Sequence, residues 1–108
     1  MPGWLARWTA LVTAHDRAPR SEVSQSGRSG HVTYVEGLHR ASFYFEVGGG
    51  DCIAWLSVPT PDDWARETGL ASECRDDVLR FVAERVHRDH AGGRRWTIEP
   101  DAISFWAR

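Results

Sequence analysis

The sequence predicts a single α+β domain, an antiparallel three- to five-stranded meander with a long C-terminal helix on one face and a short N-terminal amphipathic helix. Three observations predict it. The chain has 108 residues, of which 42% are apolar and 26% charged, and one compact domain of a soluble protein commonly takes about 100–150 residues. Apolar residues alternate with period two between His31 and Val58 and then recur at helical spacing between Cys74 and Val86, so strands come before the main helix. Glycines at Gly37, Gly48 to Gly50, Gly69 and Gly92-Gly93 fall between those stretches, where the chain must reverse or a helix must stop.

The chain divides into residues 1–14, 15–30 and 31–108. In the first, Trp4, Leu5, Trp8, Leu11 and Val12 form the stripe of a short amphipathic helix, too short to persist without docking on a surface. Residues 15–30 are rich in Ser, Arg and Gly and have no apolar period. They predict a flexible loop. The remaining 78 residues form the domain proper.

Within it, His31–Val35 and Leu38–Val47 flank a two-residue hairpin connection at Glu36-Gly37, and a third strand runs from about Asp51 to Val58. If Gly49-Gly50 is the tight turn, Val47 faces Cys52, Phe45 faces Ala54, Phe43 faces Leu56 and Ala41 faces Val58. That register makes a wholly apolar inner face. The outer face then carries Ser42, Tyr44 and Glu46 opposite Ser57, Trp55 and Ile53, beside Arg40, Thr33 and His31. A three-residue loop would instead turn Ile53 and Trp55 into the core, at the cost of polar groups on the inner face, about 1–3 kcal/mol for each one left unpaired.

Thr60 as N-cap, Pro61 at the first helical position and Asp62 and Asp63 at the positive end of the dipole start a short helix that ends at Gly69. A longer helix follows Ser72. Its inner stripe is Cys74, Val78, Leu79, Phe81, Val82 and Val86, its outer side Arg75, Arg80, Glu84, Arg85 and Arg88, and its stop Gly92-Gly93. Trp96, Ile98, Ile103 and Phe105 around Pro100-Asp101 predict one or two more strands with an edge or a bend at the proline.

Several chemistries are poorly supported. All 13 basic residues are arginine, so a P-loop or Schiff-base lysine is excluded, and there is no Gly-x-Ser-x-Gly elbow. A GC-rich genome would also favour arginine codons. Asp62, Asp63, Asp76 and Asp77 lie at helix starts, where exposed N–H groups already account for carboxylates. Cys52 and Cys74 lack metal or redox spacing, which suits the reducing cytoplasm. No apolar run approaches the roughly 18 residues of a membrane span, and no cleavable leader is expected, because Arg7 interrupts the first apolar stretch.

Glu84, His87 and His90 at the helix end could serve a small metal-dependent enzyme, but their spread around the helix opposes convergence on one ion. No cofactor is therefore expected. Six tryptophans are a heavy load for so small a core, and some should stand at an interface. The expectation is a non-catalytic cytoplasmic protein that binds another protein, or itself as a homodimer, through the outer sheet face. Tyr44, Trp55 and Ile53 would supply the apolar contact and Arg40 and Glu46 the orientation. Size and acidity give it the general type of small bacterial inhibitor, immunity and adaptor proteins. Single-stranded nucleic acid stacking on Tyr44 and Trp55 is the alternative. The formal net charge of −2 weighs against it.

Overall fold

The computed structural model of the chain describes residues 18–108. The helix expected over residues 1–14 and the start of the expected loop lie outside the described residues. The rest of that loop is different from expectation. Arg20–Ser26 is a strand, β1, paired along its whole length with β2, Ser29–Glu36. The turn between them is Gly27-Arg28, with Gly27 at φ 65°, and a glycine-first reversal of this kind matches the twist of the strands it joins. Only Val23 of β1 packs on the core. A single inward apolar residue leaves no period to read, so β1 depends on its pairing with β2.

A second reversal, at Gly37-Leu38, leads into β3, His39–Val47. Gly37 has φ 62°, and the turn falls one residue later than Glu36-Gly37. Strand β4, Cys52–Ser57, pairs with β3 through Phe45↔Leu56, Glu46↔Trp55 and Val47↔Ala54. Both expected registers are therefore displaced by two positions. An even displacement leaves every side chain on its face, so Ala41, Phe43, Phe45, Ala54, Leu56 and Val58 are all buried in the core.

The chain then makes the short helix α1, Trp64–Thr68, which ends at Gly69 with φ 75°. A 3₁₀ turn, Ser72–Cys74, leads into α2, Arg75–Val86, which widens into a π turn at His87–Ala91 and ends at Gly92. Two assignments on this helix are corrected. Cys74 is exposed rather than on the buried stripe, because it belongs to the 3₁₀ turn, where the helical period has not begun. Arg75 is buried rather than on the outside, because its guanidinium satisfies backbone carbonyls in two loops. Nε and Nη2 donate to the Pro59 carbonyl at 3.2 and 3.1 Å, and Nη2 also donates to the Pro100 carbonyl at 2.9 Å.

Strands β5, Arg95–Ile98, and β6, Ala102–Trp106, form a hairpin bent at Pro100-Asp101. The result is one six-stranded antiparallel sheet, in the order β1-β2-β3-β4-β6-β5, with more strands than the three to five expected. The α+β class holds. Val78, Leu79, Val82, Ala83 and Val86 of α2 join the inner sheet residues and Trp64 in one core, and burying each large aliphatic side chain contributes about 1.5–3 kcal/mol. Trp64 is fully buried, stacks on Phe43 with ring centroids 6.0 Å apart and donates its indole N–H to the Ala71 carbonyl at 3.1 Å. Among the described residues, no helix is long and apolar enough to cross a membrane.

Candidate functional site on the outer sheet face

The helices α1 and α2 pack on the inner face of the sheet, and its outer face presents the residues of opposite parity. His31, Tyr44 and Trp55 come from β2, β3 and β4: His31 lies directly opposite Tyr44, and Trp55 lies diagonally from it, opposite Glu46. His31 and Tyr44 meet edge to face at 6.0 Å, and so do Tyr44 and Trp55 at 5.8 Å. Strand parity alone accounts for this run, since each of the three lies opposite in phase to the buried Val32, Phe43 or Phe45, and Ala54 or Leu56.

Polar groups surround the aromatics. Arg40 Nη2 lies 2.8 Å from Glu22 Oε1, and Arg20 Nε lies 3.3 Å from Glu22 Oε2. The hydrogen bond from Arg40, and then that from Arg20, holds the Glu22 carboxyl below the usual carboxylate range. The Tyr44 hydroxyl donates to Glu46 at 2.9 Å, and this bond is the main reason the phenol's pKa is raised. The hydroxyls of Thr33 and Ser42 share a hydrogen bond of 2.8 Å. These bonds fix side chains that would otherwise have to be ordered on contact with a partner.

Arg40, Tyr44, Glu46 and Trp55 thus stand on one face, as the sequence leads one to expect. Ile53 does not join them. The β4–β6 ladder is irregular between Cys52 and Ala54, and this bulge turns Ile53 towards Gly93, where a Cβ added to the glycine would lie 2.6 Å from Ile53 Cδ1. A bulge adds one residue to a strand and so reverses parity at that point, which removes Ile53 from the proposed contact group.

In its place the structure supplies Trp106 and Arg95, which the sequence reading leaves out. Trp106 lies in β6 beyond Ser104, the cross-strand partner of Trp55, and donates its indole N–H to Thr97 Oγ1 at 2.9 Å. The Arg95 guanidinium lies 5.2 Å from the centre of the Trp106 ring, within the range of a cation–π contact. The signal was present: Ile103 and Phe105 alternate inward, so Trp106 must face outward.

The helix-end histidines have other surroundings. His87 Nε2 lies 3.1 Å from the Gly93 carbonyl. Among the described residues, no group of three or more His, Cys, Asp or Glu side chains could hold a metal ion.

Fold and face together define a two-layer α+β domain with a preorganised aromatic and arginine-bearing sheet surface. No protein-family model, curated protein or solved structure matches the chain.

Proposed function

We propose that this protein acts by binding another protein through the outer sheet face, without catalysis of its own. The observation that carries the reading is the contiguous aromatic run His31, Tyr44, Trp55, bordered by Trp106 with its arginine. Tyr, Trp and Arg dominate the energetics of protein interfaces, and an aromatic centre within a polar rim is the usual anatomy of a contact patch. The charges on the face support a protein over a nucleic acid. Arg20, Arg40 and Arg95 are balanced by Glu22, Glu46 and Glu99, whereas affinity for a phosphate backbone needs an excess of cations. In this reading Tyr44 and Trp55 supply the buried area, while Arg40 and Glu46 fix orientation.

The test is differential capture from an extract of the native host. Tyr44→Ala and Trp55→Ala are each expected to weaken retention of a specific partner at least tenfold, corresponding to hot-spot losses of about 1.4 kcal/mol or more. Arg80→Ala, an exposed change on α2, should retain the partner fully. Equal retention by all three variants, or capture of nucleic acid alone, would defeat the proposal.

A further inference from the structure

Among the described residues, the core is incompletely filled at one end. Between the sheet edge at β1 and the C-terminal end of the long helix there is a cavity of about 250 Å³. Val32, Phe45 and Leu56 form its floor, and Val86 and Ala91 close it from the helix side. Among the described residues lining it, only Gln25 and His90 have polar side chains. A dry engineered cavity of about 150 Å³ accepts a benzene ring, so this one suits a body of about eight to ten heavy atoms.

Two backbone irregularities border the same space. The helix widens into the π turn at His87–Ala91, and β4 bulges between Cys52 and Ala54, bringing Ile53 to the wall. A regular helix and an unbulged strand would present different side chains here. Both kinds of irregularity are enriched at functional sites. Gly30, on the neighbouring strand, leaves room for the Phe45 ring, whose Cε1 would lie 2.8 Å from an added Cβ. The aromatic floor therefore depends on a missing side chain.

The geometry points to a binding site for a small amphiphile, a largely apolar molecule with one hydrogen-bonding head. The body occupies the cavity and the head meets His90. That histidine is exposed and lines the cavity. Gln25 donates to the Gly27 carbonyl at 2.9 Å, which fixes its amide and leaves the Oε1 oxygen as an acceptor. The site lies on the opposite side of the sheet from the proposed protein contact and does not depend on it.

The test is a titration of the full chain with 1-octanol and with octanoate, followed through backbone amide resonances. Saturable shifts are expected at Val32, Ala54, Val86 and Ala91, with a dissociation constant of about 0.1 mM for a ligand of this size. The two probes share the body and differ in the head. A preference for octanoate assigns an anionic head, and equal affinity or a preference for octanol assigns a neutral one. Ala91→Phe, at the end of the helix, should fill the space and abolish the shifts. His90→Ala, an exposed change that leaves the core intact, should weaken binding at least threefold. No saturable shift with either probe up to 1 mM (about ten times the expected constant), shifts centred on Tyr44 and Trp55, or unchanged binding by both variants would overturn the proposal.

Discussion

Arg75 connects three segments that are distant in sequence. Its buried guanidinium joins the start of α2 to the Pro59 carbonyl after β4 and to the Pro100 carbonyl between β5 and β6. Pro59 and Pro100 belong to stretches without ladder partners, so these carbonyls would otherwise need water. Hydrogen bonds from a charged donor contribute about 1.5–3 kcal/mol, and an unsatisfied buried acceptor costs about 1–3 kcal/mol. Arg75→Ala is therefore expected to destabilise the domain by about 3 kcal/mol, seen in urea as a lower midpoint at unchanged slope. Arg80→Ala, exposed on the same helix, should stay within about 0.5 kcal/mol of the parent. A loss below about 1 kcal/mol for Arg75→Ala would show that water takes over both carbonyls. Tyr34 is another buried residue whose polar atom is held by a partner. Its hydroxyl donates to Glu36 at 3.0 Å, and burial, aided by that carboxylate, pushes the phenol up to about 12.

At the scale of elements, β1 depends on a glycine in its neighbour. Gly30 pairs with Gln25 on one side and Phe45 on the other, and an added Cβ would strike the Ser24 carbonyl oxygen as well as the Phe45 ring. Backbone cannot yield as a flexible side chain can, so Gly30→Ala should loosen the first hairpin at a cost of about 2 kcal/mol, within the range for overpacking. Hydrogen exchange would locate the effect: protection should fall along β1 and the facing part of β2 and remain at β6. Uniform loss across the sheet would contradict that view of β1.

The same hairpin marks where the sequence stops being legible. Strands β2, β3 and β4 each have several inward apolar residues, and both expected pairings missed by two, an error to which face assignment is indifferent. Strand β1 has only Val23, and its one readable sign was the Gly27 reversal. For the site, Tyr44, Trp55, Arg40 and Glu46 followed from parity, whereas Ile53 was lost to a bulge. That bulge is set by pairing between β4 and β6, strands separated by two helices, and local spacing does not encode it.

The molecule as a whole is two layers thick over its described residues, and the layers make opposite demands on its tryptophans. Trp64 lies between sheet and helices, fully buried and stacked on Phe43. Trp55 lies beyond the sheet, half-buried, against a Tyr44 that is 38% exposed. Replacing a large buried side chain removes transfer energy and leaves a cavity, so Trp64→Leu should cost about 3 kcal/mol or more. Trp55→Ser removes an edge contact and part of a ring face, worth about 1 kcal/mol. For a domain of this size each kcal/mol moves the melting temperature by about 4–8 °C, so thermal unfolding should separate the two variants by roughly 8 °C or more. A Trp55→Ser loss equal to that of Trp64→Leu would mean that Trp55 belongs to a core on the outer face, which would then be an interior surface with no room for a partner. A small loss together with impaired capture would assign the ring to recognition, because a side chain the fold can spare but the complex cannot contributes its energy in the complex.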